Sequence, residues 1–469
     1  MNDSQQLALI ELTLTQRGEM IRRDRRSVED LLLSAISGIK LTKDRKPWNY
    51  GWYVADYRRS PRAAFETPDG SAYIDSAQLL DYERAVENLW QDQNVRNRWS
   101  REEFWSVVIG LMVNARNRDA DVDEIHTMVD ALRKASHTLV IFPVANVKWT
   151  DSPLYLADAV IGDGGHGWIN LVSERLAPSL KLDQEELMHL LRNENFFEQH
   201  RKPGDTVLMA CRVPGQSQLA TEQAERLLEN IVDTAMLLEA DLGRLKMFSL
   251  RGAANRPGIR GLSIDRPALQ KYLEKSDAVH ELGARIIAIS KSGLRKHHRW
   301  HSADPVPLSA LLNSEQKQAA IDMVCTGSSV IFQRIRIAAR WHAEAHWAIA
   351  TDDAVLALGV ALDALIGAPS GLPGRVMADR YALLGADPKI RRNLAIRHAE
   401  LYKVRSAIAH GRGSKEADED DFVRKMSADV RWASERLMAL YESFHPQNER
   451  EFDEVFDDLR WGLRSWPSN

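Results

Sequence analysis

The chain has 469 residues, of which 44% are hydrophobic and 27% charged, with a formal net charge of -4 at pH 7. This is a globular composition that excludes collagen-like repeats, mucin-like stalks and wholesale disorder. The near-neutral balance also excludes a polycation that coats nucleic acid with its entire surface, while leaving room for a local basic site. Length alone predicts two or three domains. Cys211 and Cys325 are too few for a disulfide scaffold or a cysteine-only zinc site, and a reducing compartment suits them. The opening residues lack a basic segment followed by an apolar one, so no secretory signal is expected and the cytosol is the expected location.

In chain order, apolar spacing predicts a helix over Gln6–Ile39, a strand over Gly51–Tyr57, and a hairpin turn at Pro68-Asp69-Gly70 before Ser71–Ile74. Ser76 is placed to cap a helix over Leu79–Trp90. Further helices are expected over Phe104–Val113 and Asp121–Leu132. The pattern then changes. Thr138–Val144 reads as a strand, a turn-rich stretch follows, and Thr206–Cys211 reads as a second strand ended by Pro214-Gly215. Thr221–Leu238 carries a strong helical stripe. Leu269–Ser290 reads as helix, followed by a basic segment, Lys291–Trp300. Helices are then expected in the Gln318–Trp347 region, with Gly327 as a breaker, and over Ala354–Ile366, Val376–Leu384, Arg391–Ala409, Asp421–Glu442 and Glu451–Leu463. Ala354–Ile366, at 13 residues, is too short to span a bilayer. The resulting division is a mainly helical region 1–135 with a small hairpin, a mixed α/β region 136–265 suited to sensing or recognition, and a helical region 266–469.

Several chemistries lack their motifs. There is no Gly-rich loop ending in Gly-Lys-Ser/Thr, no His-Glu-x-x-His and no Gly-x-Ser-x-Gly. Gly162–Gly167 is glycine-rich but reads as a turn. His297, His298 and His301 form one histidine group, and His342 and His346, four apart, share a helical face. No complete ligand set emerges from either by spacing. Trp48, Tyr50, Trp52, Tyr53 and Tyr57 would stack on bases or pack in a hairpin.

The most informative stretch is Glu400-Leu401-Tyr402-Lys403-Val404-Arg405-Ser406-Ala407-Ile408-Ala409-His410-Gly411. Leu401, Val404 and Ile408 fit the core side of a helix, and Gly411 suits a left-handed cap. Arg405 is suited to pairing with phosphate through two nitrogens and His410 to moving protons near neutral pH. Together they would serve phosphodiester cleavage, or they would be structural and capping groups. Five helical positions separate them by about 140° and about 7.5 Å, so they meet only through an irregular helix end or a second subunit. Residues 375–412 hold nine Lys/Arg against three Asp/Glu, a net of +6: Arg375, Arg380, Lys389, Arg391, Arg392, Arg397, Lys403, Arg405 and Arg412 carry it. Residues 281–341 are also basic, at +5. Such surfaces suit an acidic polymer.

Ala354–Gly413 resembles part of a HEPN domain, in particular its ApeA-like branch. The likeness rests on Val360-Ala361-Leu362-Asp363-Ala364-Leu365-Ile366 and on Leu401-Tyr402-x-x-Arg405-Ser406-x-Ile408-x-His410-Gly411. The resemblance implies an α+β chain: a mixed N-terminal region followed by an all-α HEPN-like bundle over about 310–465. It implies a metal-independent endoribonuclease without a cofactor, working as a homodimer through that domain on RNA. Arg405 would stabilise phosphate charge and His410 would handle the 2′-hydroxyl or its proton. Asp363 stands where the family commonly has Glu, and would orient Arg405 or be a buried structural acid. Ser406 stands where Asn, Asp or His is frequent. The resemblance further implies an antiphage defence effector that answers a phage-derived or host trigger. Inactive members of the family serve as nucleic-acid-binding or dimerisation modules, which is the alternative reading.

Overall fold

The computed structural model describes residues 26–42, 63–67, 70–74, 76–133, 137–144, 147–180, 183–192, 207–215, 217–239, 286–288, 306–348, 350–368, 374–412, 417 and 420–466. The expected strand Gly51–Tyr57, the five aromatic residues around it and the His297, His298, His301 group lie outside them, as does most of Gln6–Ile39. The chain forms two compact units. One comprises Met1–Thr138, Pro214–Thr221 and Gln270–Arg285, and the other Leu139–Val213, Glu222–Leu269 and Ile286–Asn469.

The first unit contains α1 (Val28–Ser37), β1 (Ile39–Thr42), β2 (Ala63–Thr67), β3 (Gly70–Ile74), α2 (Ser76–Trp90), α3 (Gln93–Arg98), α4 (Arg101–Arg118) and α5 (Val122–Arg133). Ser27 and Asp30 form a reciprocal capping box that starts α1, and the chain leaves the helix before Ile39. Ile39 therefore begins a strand rather than ending a helix. β1 and β2 both pair antiparallel with β3, with Ile39 and Ala63 opposite Ile74. The hairpin partner of Gly70–Ile74 is thus Ala63–Thr67. Leu31, Leu32, Tyr82, Leu89, Phe104, Met112 and Val129 fill the core of this unit. The Arg26 guanidinium holds the Asp81 carboxyl below its usual range, although burial opposes it.

The second unit begins with a sheet. Its strands are β4 (His137–Val144, of which Leu139 onward belongs here), β6 (Leu154–Leu156), β7 (Ala159–Gly162), β8 (Val207–Pro214) and β9 (Ile286–Ala288), in the order β6-β7-β8-β4-β9. β5 (Val147–Lys148) pairs in parallel with β10 (Val306–Pro307). Helices α6 (His166–Arg175), α7 (Ala177–Leu180) and α8 (Gln184–Arg192) form a core with the sheet through Trp168, Val172, Leu176 and Leu191. α9 (Ser217–Leu237, of which Glu222 onward belongs here) follows. Ile286–Ala288, expected in a helix, is a strand running parallel to β4, with Leu139 opposite Ile286. Its consecutive isoleucines favour extended backbone over helix.

The rest of the unit is helical: α10 (Leu308–Leu311), α11 (Glu315–Thr326), α12 (Val330–Trp347), α13 (Thr351–Ile366), α14 (Gly374–Leu383), α15 (Pro388–Ala409), α16 (Asp420–Phe444) and α17 (Glu449–Trp461). α13 is the central element, with Val355, Leu358, Ala361, Leu362, Leu365 and Ile366 buried. Burying an apolar helix to its very end leaves its last carbonyls in need of donors. The Asp363 carbonyl accepts the Gly367 N–H at 2.8 Å. Arg334 donates to Ala364 at 2.9 Å and Leu365 at 3.5 Å, and Arg380 donates to Ile366 at 3.3 Å and Gly367 at 3.4 Å. Both arginines are buried. Both are ion-paired to acids one turn apart on α17, Arg334 to Glu449 and Arg380 to Asp453. They lie over Phe452 and Phe456, at 4.3 and 5.2 Å from the ring centres. Two positive charges at this C-terminus also complement the helix dipole. Among the described residues, no helix is long and apolar enough to cross a membrane.

Arg380→Ala is expected to lower unfolding free energy by about 2 kcal/mol, because it takes the Arg380 donor from the Ile366 and Gly367 carbonyls at the buried helix end. Denaturant melts of wild type and variant measure this. A change of a few tenths would mean that the arginine does not seal the helix end.

Candidate functional site

α15 is built with well-defined ends. Asp387 accepts the Lys389 N–H at 2.9 Å and Pro388 occupies the first turn, where no intrahelical donor is needed. At the other end Gly411 adopts φ 70°, the Gly411 N–H bonds Ile408 O at 2.9 Å and the Arg412 N–H bonds Ala407 O at 2.8 Å. This pair of bonds stops the helix abruptly and leaves His410 exposed at its tip.

The inner face of α15 buries His398, Leu401 and Val404. Arg405 comes next on that side and lies along α13. A Cβ at Gly359 would come within 2.6 Å of the Arg405 Cγ, so only glycine admits the arginine stem here. The guanidinium reaches Asp363 at 2.7 Å, with the two side chains 25% and 31% exposed. Burial pushes the Asp363 carboxyl above its usual range, against the pull of Arg405. Arg405 also sits 5.9 Å from the Tyr402 ring centre. Gly359, Asp363, His398, Tyr402 and Arg405 surround a small pocket, closed on its apolar side by Leu362, Leu401 and Met426.

The outer face is different. Lys389, Ile396, Lys403 and His410 recur every seven residues and therefore form one stripe, all of it exposed. Arg392 is exposed on the same helix, and Arg375 and Arg412 are exposed on flanking segments. Arg391 is half-buried and donates to Gly385 O at 3.0 Å, while Arg397 is engaged with Asp429 at 2.7 Å. Arg380 is internal, sealing α13 as described. Ser406 is half-buried, and its carbonyl accepts the His410 N–H at 3.1 Å. Thus Arg405 and Asp363 come together, Ser406 is adjacent to Arg405 in sequence, and His410 stands round the helix, outside the residues that line the pocket.

The residue not foreseen from sequence is His398. It is 2% exposed, lines the Arg405 pocket and packs 5.3 Å from the Tyr381 ring. Its signal was present in the spacing: seven residues before Arg405 is two turns along the same face. His342 and His346 are also internal. Their Nε2 atoms are 3.3 Å apart, and His342 Nε2 is 2.8 Å from Ser427 Oγ. Among the described residues, no group of three or more His, Cys, Asp or Glu is arranged to hold a metal ion. Both cysteines are free, and burial pushes the Cys325 thiol up to about 12 and Cys211 higher, which makes them poor nucleophiles. Comparison with protein-family models, with curated proteins and with solved structures found no match.

Two expectations follow from this geometry. Burial draws His346 and His398 down to about 4, and His342 well below 6.5 through burial and then the nearby His346 and Arg431. An unfolded histidine titrates near 6.5, so between about pH 6.5 and 4 the unfolded chain binds more protons. The stability these residues contribute is complete above pH 6.5 and is lost as pH falls through that window, at up to about 1.4 kcal/mol per pH unit per site. The half-buried carboxyl of Asp363 and the buried one of Asp429 are raised and act oppositely, losing their contribution as pH rises through the carboxylate range. Denaturant melts at pH 7.5, 6 and 5 should show the histidine slope, and His398→Gln should flatten it. Separately, Gly359→Ala should destabilise the bundle and displace Arg405, despite alanine's propensity advantage of about 1 kcal/mol in a helix. A higher melting temperature would show that the arginine yields without cost.

Proposed function

We propose that the helical region around 310–465 is a HEPN-type, metal-independent endoribonuclease domain, working as a homodimer on RNA. The observation that carries this reading is the Arg405–Asp363 pair at a pocket reached by solvent, on a helix whose outer face is basic and exposed. Arg405 binds the scissile phosphate through its remaining donors while Asp363 orients it. His410 exchanges the proton. The 2′-oxygen attacks the adjacent phosphorus and the bond from phosphorus to the 5′-oxygen breaks. One proton leaves the 2′-hydroxyl and one reaches the departing 5′-oxygen. The products are a 2′,3′-cyclic phosphate and a 5′-hydroxyl end. On an ideal helix Arg405 and His410 would stand about 140° apart, and His410, the C-cap residue, does not line the Arg405 pocket, so each site takes its histidine from a second copy. Lys389, Arg392, Lys403, Arg375 and Arg412 hold the remaining phosphates. By the family resemblance, the cleavage serves antiphage defence and the N-terminal part senses the trigger.

The same angular separation favours a second reading, in which the domain binds nucleic acid or dimerises without cleaving. Purified protein incubated with varied RNAs in EDTA, with product ends analysed, separates the two. On the nuclease reading, Arg405→Ala and His410→Ala each slow cleavage by about 100-fold or more, with circular dichroism unchanged for the exposed His410 variant, and EDTA leaves the rate intact. Full activity of clean His410→Ala protein would sink the nuclease site.

A further inference from the structure

His398 is a buried polar side chain at a pocket and outside any motif. It is 2% exposed, and its Nδ1 has no hydrogen-bond partner among the described residues. A buried imidazole nitrogen left unpaired costs free energy unless a ligand or water completes it. The pocket it lines offers three kinds of polar group at once. Arg405 supplies donors only, Asp363 supplies a carboxylate already bonded to Arg405 at 2.7 Å, and a neutral imidazole supplies one donor and one acceptor. There is room for a group about the size of a water molecule, with apolar walls at Leu362, Leu401 and Met426.

This combination discriminates between ligand chemistries. Inside the pocket a phosphate oxygen meets the Asp363 carboxylate with like charge, so a phosphate is left to the Arg405 donors that Asp363 does not take. An ammonium suits Asp363 but meets the guanidinium. A hydroxyl both donates and accepts through a single atom, so it satisfies a cation, a carboxylate and an imidazole together. Tyr402, 36% exposed at the rim, offers a flat face beside the opening for the body of the ligand.

We infer that the Asp363–His398–Arg405 pocket is a hydroxyl subsite that receives a ribose 2′-hydroxyl of a bound strand, making His398 a residue that distinguishes RNA from DNA. This rests on the proposed RNA-binding reading, and it is a binding property that does not require cleavage. The sugar hydroxyl is the group that separates the two nucleic acids at any site that reads it. A 2′-O-methyl group loses the donor and exceeds the space.

The test uses the full chain and equilibrium binding in EDTA to one single-stranded sequence made as RNA, as 2′-O-methyl RNA and as DNA. Wild type should bind the RNA about tenfold more tightly than either analogue, the size of one hydrogen bond to a charged partner. His398→Phe should bind all three with the affinity wild type shows for DNA. Asp363→Asn, which keeps the shape of the side chain, should also narrow the preference and serves if the phenylalanine variant does not fold. Equal binding of RNA and DNA by wild type overturns the inference and assigns the pocket to a bound water, even if the protein cleaves RNA. An RNA preference that survives both substitutions also overturns it. A preference that depends on His398 in a protein that cuts nothing upholds the inference and removes the nuclease reading. No binding of any strand overturns both.

Discussion

The central helix of the C-terminal unit is apolar to its last turn, and the need to satisfy its final carbonyls shapes everything around the candidate site. The Gly367 N–H at the C-cap serves only the Asp363 carbonyl. Arg334 and Arg380 come in from two other helices instead, each held by an acid and an aromatic ring of α17. Four helices are thereby fixed to one point. Asp363 lies in the last turn of that helix, and its own carbonyl belongs to the same set of sealed groups. The carboxylate that meets Arg405 therefore stands on backbone held by charge-assisted hydrogen bonds, which are stronger than neutral ones. Rigid support of this kind is what a binding constellation needs.

On the other side, α15 separates two surfaces by its own periodicity. His398, Leu401 and Arg405 point toward the bundle, while Lys389, Ile396, Lys403 and His410 follow the opposite stripe. His398 and Arg405 line one pocket, whereas His410, the C-cap residue past the last turn, does not.

Much of this was legible before any coordinates. The cap at Gly411 follows from a glycine after a run of helical spacing, and Gly327 marks the break between α11 and α12. Arg405 and Asp363 were linked by resemblance, and the ion pair between them is a geometric fact. The sequence was silent where side-chain type does not reveal environment. Arg380 and Arg392 look alike as letters, yet one seals a helix terminus and the other faces solvent. His398 reads as one histidine in a basic helix until its two-turn offset from Arg405 is placed against α13. Ile286–Ala288 is a strand that local sequence does not reveal, because its pairing depends on residues nearly 150 positions earlier.

The two acids that anchor Arg334 and Arg380 sit at positions 449 and 453, more than 80 residues after the central helix ends at Ile366. During synthesis the central helix emerges long before them. A nascent polypeptide that has not yet reached α17 carries the end of its most apolar helix unsealed, with two arginines lacking their counter-ions. Completion of the bundle therefore waits on α17, and a product cut short before residue 449 lacks the acids that hold Arg334 and Arg380 at the end of the central helix.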